Sequence, residues 1–246
     1  MRLKPVRGSG ITRAGTKAER GVIELDNVSH SYGDGDLLSN VSLTLAPGAF
    51  HFLTGPSGAG KTTFLKICYA ELLPSAGGVR LFGGDLRRMD RDQVARTRRR
   101  IGVVHQDCRF LDHLPLIDNI ALPLLAAGLD PVSERDNIDE LLNWVGLRAR
   151  AGALPPELSG GERQRAALAR AVIMAPDVIL ADEPTGNVDW DMSLRILQLL
   201  IELNRMGKTI LIATHDLHLI RSAKPLVAAR VLRIKDRQLH LAGADL

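Results

Sequence analysis

From Val22 onward, apolar and polar residues alternate through VIELDNVS and VSLTLA, then the chain turns apolar in AFHFLTG, with Pro47-Gly48 breaking the run between the last two. Alternation with a period of two marks strands with one buried face, so three strands are predicted here. Short apolar blocks predict further strands at GVRLF (78–82), IGVV (101–104), VILA (178–181), TILIAT (209–214) and VLRI (231–234). Several of them alternate with helical stretches, which predicts a largely parallel sheet covered on both faces. Phe64, Leu65, Cys68 and Leu72 recur at helical spacing and predict a helix opening near residue 61. Between IGVV and VILA, about seventy residues lack a strand pattern but show helical periodicity over 116–129, 132–145 and 162–174. They predict a helical subdomain, residues 107–175, inserted into the sheet domain of residues 21–246.

Candidate chemistry begins where the third strand should end. GPSGAGKT, residues 55–62, fits the spacing G-x-x-x-x-G-K-[ST], preceded by a strand and followed by a helix. Gly55, Ser57, Gly58, Ala59 and Gly60 can turn successive backbone N–H groups inward as an anion nest, and the helix N-terminus adds partial positive charge. Lys61 is then expected to reach the β- and γ-phosphates of ATP, Thr62 to hold Mg²⁺, and Thr63 to add a hydroxyl contact. VILADEP delivers Asp182 at the C-terminal end of a buried strand, the edge where open α/β sheets bind ligands. A carboxylate there suits Mg²⁺ or its water. Glu183 shares the site only if the strand is ending, because adjacent strand residues point to opposite faces; Pro184 agrees with such an end. Glu183 is then the candidate base that polarises the attacking water.

A second glycine-rich stretch, LSGGE at 158–162, places Ser159 and Glu162 in the spacing of a capping box. The helix it opens is expected to bury Leu168, Ala171, Val172 and Ala175. A capping hydroxyl uses its lone pairs and keeps its O–H free, so Ser159 could also donate to a phosphate, with Gly160 and Gly161 leaving the helix end uncluttered. Two anion sites on one chain make sense if one nucleotide is held between two chains, head to tail.

On these motifs the chain resembles the nucleotide-binding domain of an ABC ATPase over residues 22–241. The resemblance implies an α/β P-loop NTPase fold, with a mostly parallel core sheet, an N-terminal antiparallel β part and an inserted helical subdomain. It implies ATP with Mg²⁺ as cofactors, and an ATP-dependent homodimer in which Ser159, Gly160 and Gly161 of one copy close over the nucleotide of the other. It further implies that Tyr32 stacks on adenine, that Gln106 contacts Mg²⁺ and the attacking water, that Asp189 lies in a loop crossing the dimer interface, and that the switch histidine His215 contacts the γ-phosphate. His105, before Gln106, departs from the aromatic usual in similar sequences. EPTGNVD and RRRIGVVHQDCRFLDHLPLIDNIALPL resemble most the cell-division ATP-binding branch, FtsE. That branch implies the membrane protein FtsX as partner, other division proteins as further partners, and a position on the cytoplasmic face of the inner membrane. Residues Phe110 to Asn119 are the expected docking surface. A transporter ATPase of an exporter or lipoprotein-releasing system, and an ATP-gated scaffold, share the same motifs and stay open.

Composition narrows this further. Residues 1–20 carry six basic side chains against one acid, Glu19, so the net charge of +4 leaves the remainder near −1. The basicity belongs to this tail, which is expected to be disordered. A near-neutral core with 4% aromatic residues argues against nucleic acid, which needs basic surface or stacking platforms. RRMDRDQVARTRRR (87–100) is read as a solvated basic helix. No stretch has the eighteen or so apolar residues of a membrane span, and two cysteines forty positions apart fit no metal spacing.

Overall fold

The computed structural model describes residues 21–33, 35–186 and 188–242. The basic tail 1–20 lies outside the described residues. In chain order the elements are β1 (Ile23–Ser31), β2 (Asp36–Leu45), β3 (Phe50–Thr54), α1 (Lys61–Cys68), β4 (Ala76–Leu81) and β5 (Gly84–Asp85). Then come α2 (Arg91–Arg98), β6 (Ile101–Val104), α3 (Leu116–Ala126), α4 (Arg135–Trp144) and α5 (Gly160–Val172). The chain finishes with β7 (Val178–Asp182), α6 (Trp190–Arg205), β8 (Thr209–Ala213), α7 (Leu217–Ala223), β9 (Ala229–Lys235) and β10 (Gln238–Leu241).

Two sheets result. The first is antiparallel with strand order β2-β1-β4-β5. The second runs β10-β9-β3-β8-β7-β6, parallel throughout except for β10 at its edge. Its central strands β3, β7 and β8 are buried at every position, as strands covered on both faces must be. Phe50, Phe52, Ile179, Ala181, Ile210 and Ile212 face a core shared with α3, α4, α5, α6 and α7. Leu53, Leu180, Leu211 and Ala213 point the other way, onto α1 and the antiparallel sheet. Each fully buried Leu, Ile or Phe contributes about 1.5–3 kcal/mol, so the central strands are fixed in register from both sides. The helices between β6 and β7 have no core of their own; Leu116, Ile138 and Leu168 join the cluster that contains Ile179.

Several elements depart from the sequence pattern. α1 ends at Cys68 rather than reaching Leu72, because the backbone N–H groups of Glu71 and Leu72 both donate to the Lys66 carbonyl and Ala70 takes a positive φ of 61°. That closure ends a helix, and Leu72 packs against the core from beyond it. α5 stops at Val172, leaving Ala171 half-buried and Ala175, at φ 50°, outside the helix. α2 buries no residue and starts at a reciprocal cap between Asp90 and Gln93.

Gly102 of β6 sets how closely α5 approaches the sheet. A Cβ there would lie 2.3 Å from the Ala171 carbonyl oxygen and 3.0 Å from Pro176 Cγ. The nearer contact is rigid backbone, so the strand and helix must separate. Gly102→Ala is expected to destabilise the fold by about 1–3 kcal/mol, read as a fall of roughly 2–4 °C in melting temperature per kcal/mol. An unchanged melting temperature would show that the packing gives freely.

Candidate functional site

The site forms where β3, β7 and β8 end together. β3 delivers the chain into the loop 55–60 and then α1. Gly55, with φ 153°, passes so close to β9 that a Cβ would sit 2.9 Å from the Ile234 carbonyl oxygen. Gly60 precedes α1 at φ 96°, a left-handed conformation that costs glycine little. Lys61 folds back over the loop, donating from Nζ to the carbonyls of Gly55 at 2.9 Å and Pro56 at 3.3 Å. Thr62 is exposed at the loop mouth and Thr63 is buried.

β7 ends at Asp182, and Glu183 turns sharply out of the strand at φ 44° while its N–H donates to the Ala213 carbonyl of β8. The left-handed backbone lets neighbouring carboxylates face one edge, which regular strand geometry forbids. Both are nearly buried, at 6% exposure for Asp182 and 8% for Glu183. Glu183 Oε1 lies 3.8 Å from Lys61 Nζ and 2.9 Å from Nδ1 of His215, which follows β8. Asp182 makes no ion pair among the described residues. Burial raises its carboxyl above the usual range; the Thr62 hydroxyl pulls it back, the Glu183 charge adds to the rise, and Lys61 opposes it.

Gln106 follows β6 and shares a small cleft of about 80 Å³ with Thr62, Lys66, Tyr69 and Asp182. α5 holds its loop from behind. Gln164 Nε2 donates to the Gln106 carbonyl at 3.3 Å, and the Arg170 guanidinium donates to the carbonyls of Cys108 and, at 2.8 Å, Arg109. His105 packs edge-on against Tyr69 with centroids 6.0 Å apart, so an aromatic partner replaces the one its own position lacks. Burial, with Arg109 and Arg170 nearby, holds the His105 imidazole pKa below its usual value. Neither Gln164 nor Arg170 was legible as a site residue: Gln164 falls at helical spacing with Leu168 and Ala171 on the buried face, where a polar residue could have been noticed, while Arg170 reads only as a charge off that face. Tyr32 is 64% exposed; its hydroxyl lies 3.3 Å from Thr63 Oγ1 and its ring meets His30 edge-on at 4.8 Å.

Ser159 and Asp189 stand apart from this cluster. Ser159 accepts from the Glu162 N–H at 3.2 Å and its own N–H donates to Glu162 Oε2 at 2.8 Å, closing the capping box. The Ser159 backbone bond holds the Glu162 carboxyl below the usual range. Among the described residues the Ser159 hydroxyl proton has no acceptor. Asp189 caps α6 through the Met192 N–H at 2.8 Å. Met192 in turn lies against Gly161, where a Cβ would come within 2.8 Å of its Cγ. Gly160 and Gly161 are the first residues of α5, and the Asp189 loop adjoins them through this contact.

A glycine loop with an inward lysine, two carboxylates at a strand end and a histidine just beyond the next strand meet at one sheet edge, and residues 38–186 match the family described as ABC transporter. The chain belongs to this family. As an ABC ATPase it binds and hydrolyses ATP, and its relatives narrow the branch. It is 43% identical to the cell division ATP-binding protein FtsE of Haemophilus influenzae over 81% of this chain and 93% of that protein. It is 42% identical to FtsE of Escherichia coli K12, covering 89% and 97%. Among solved structures, the ATP-binding cassette MJ0796, a dimer in a post-hydrolysis state bound to ADP and Pi, superposes with a TM-score of 0.80 at 33% identity, covering 90% of this chain and 99% of that one. The fold of this ABC ATPase is therefore a P-loop NTPase, with its parallel and antiparallel sheets as expected.

Proposed function

We propose that the chain is the ATP-hydrolysing subunit of a bacterial cell-division complex, in which two copies close head to tail around two ATP and change the conformation of the membrane protein FtsX, thereby controlling peptidoglycan hydrolysis. FtsE relatives at 42–43% identity support the division role. The observation that carries the shared site is the separation within one chain: Lys61, Glu183 and His215 are bonded together at one sheet edge beside Asp182, while Ser159 lies exposed on a helix end elsewhere, its side chain bonded only within that helix end. In the proposed pair its hydroxyl donates to a phosphate of the partner copy's nucleotide.

In this reading the backbone from Gly55 to Gly60 and Lys61 hold the phosphates, and Lys61 exchanges its loop carbonyls for phosphate oxygens. Tyr32 presents its open ring face to adenine. Glu183 accepts a proton from the attacking water, and His215 Nδ1–H, donating to the Glu183 carboxylate, fixes its direction. Of the two nearly buried carboxylates only Glu183 is paired with Lys61, so beside Asp182 the site has room electrostatically for a divalent cation. Thr62, Gln106 and Asp182 would hold Mg²⁺, which when bound neutralises charge on the phosphates. Among the described residues no cluster of three or more His, Cys, Asp or Glu could hold a metal ion. No helix among the described residues is long and apolar enough to cross a membrane; the crossing belongs to the partner, and the chain works as a peripheral protein on the cytoplasmic face.

Affinity capture of the tagged chain from detergent-solubilised membranes tests the role. FtsX is the expected integral-membrane partner. Recovery of an exporter or lipoprotein-releasing permease instead would overturn the division role and leave the ATPase chemistry untouched.

A further inference from the structure

Near the end of β1 sits a histidine that the nucleotide chemistry leaves unused. His30 shares the buried face of the strand with Val28, two residues earlier, as alternation requires. Tyr32 follows the strand directly and is mostly exposed, whereas His30 is only 7% exposed. The register of β1 against β2 shifts on both sides of His30, which faces Leu38, and such an irregularity re-aims the side chains around it. The result is a ring pair: His30 and Tyr32 meet at 83°, edge against face, with centroids 4.8 Å apart.

Packing alone does not account for a histidine here. Both imidazole nitrogens are buried and neither has a hydrogen-bond partner among the described residues, which lowers stability relative to an apolar side chain of similar size. The ring contact is what remains. Aromatic pairs favour this arrangement, and it steadies a large exposed side chain that would otherwise rotate freely in solvent. Tyr32 is held at its other end as well, where its hydroxyl lies 3.3 Å from Thr63 Oγ1. The backbone around it is pinned by Ser31, whose hydroxyl donates to the Gly35 carbonyl at 2.7 Å and accepts from the Gly33 N–H at 3.2 Å. Leu38, opposite His30, reaches the phosphate loop, since a Cβ on Gly60 would lie 3.1 Å from its Cδ2. One sheet therefore supports both the open phenol ring and the loop.

We propose that His30 is a positioning residue for the nucleobase: it sets the Tyr32 ring so that the open face receives adenine. The inference rests on the reading above that Tyr32 stacks on adenine, and adds the residue on which that stacking depends. With its nitrogens buried, His30 acts through Tyr32 alone. Without it, each incoming ATP has to order the ring itself, which weakens the hold on the base and leaves the hold on the phosphates as it was.

The test is titration of the full-length chain with a ribose-labelled fluorescent ATP, using inorganic tripolyphosphate as a competitor that has no base. His30→Leu fills the position without a ring, and His30→Phe fills it with one. Both discard the unpartnered nitrogens, so neither is expected to lower the melting temperature. His30→Leu is expected to weaken ATP binding about two- to tenfold, the range for ordering one side chain on binding, and to raise KM while kcat holds. Tripolyphosphate affinity should not move. His30→Phe, which keeps an aromatic edge, should bind ATP within about twofold of the wild type. The double variant His30→Leu, Tyr32→Ala should bind no more weakly than Tyr32→Ala alone, because residues that act as a unit are not additive. If Tyr32→Ala weakens ATP binding and His30→Leu does not, the inference is overturned and the adenine reading stands. A His30→Leu loss that extends to tripolyphosphate, or that adds in full to the Tyr32→Ala loss, also overturns it, since both mark a general disturbance of the fold. If Tyr32→Ala binds ATP as the wild type does, the adenine reading and the inference fall together.

Discussion

Glu183→Gln is expected to leave ATP bound and to slow its hydrolysis at least about a hundredfold, the lower range for removing a positioned general base. The amide keeps the size of the carboxylate, so the backbone turn at φ 44° and the packing around it survive. What it loses is the capacity to take a proton from water, and with it the charged partner that Lys61 and His215 share. Single-turnover hydrolysis and size-exclusion chromatography in ATP provide the readout: a nucleotide-bound dimer should accumulate while product does not. Turnover within tenfold of wild type would remove Glu183 from the chemistry, whatever its geometry.

Lys61→Ala and Ser159→Arg should separate binding from closure. Lys61 gives a charge-assisted hydrogen bond to phosphate, worth roughly 1.5–3 kcal/mol, so its loss should weaken ATP binding about ten- to hundredfold. Ser159 lies outside the Lys61 cluster and bonds only within its own helix end. Ser159→Arg should therefore bind ATP as the wild type does and remain monomeric, because a bulky cation blocks the helix end that meets the other copy. Fluorescent-nucleotide titration with sedimentation velocity distinguishes the two. Equal loss of affinity in both variants would mean that one chain holds both halves of its own site.

The loop 55–60 between strand and helix, and the strand-end position of Asp182, were legible because their signals are local: a glycine spacing, and a carboxylate at the end of an apolar block. The strands were legible for a related reason, since burial on both faces writes itself as an uninterrupted apolar run, VILA in β7 and ILIA in β8. The meeting of Glu183 with His215 is not local. It follows from β7 and β8 lying side by side with Asp182 opposite Ala213, and strand order is not written in any short stretch. Leu72 misled in the opposite direction: its helical spacing was genuine, but the backbone closed the helix first and its side chain reached the core from a turn.

One consequence concerns timing. α5 has thirteen residues, so at 1.5 Å per residue it is a rod about 20 Å long. Its first turn carries Ser159 to Gly161, and farther along Gln164 and Arg170 grip the segment that follows β6. Within the proposed pair of copies, that rod would make each molecule's sensing of its own nucleotide inseparable from its hold on its neighbour's. The two turnovers would then not be independent events, and the rate should rise more steeply than linearly with ATP at low concentration.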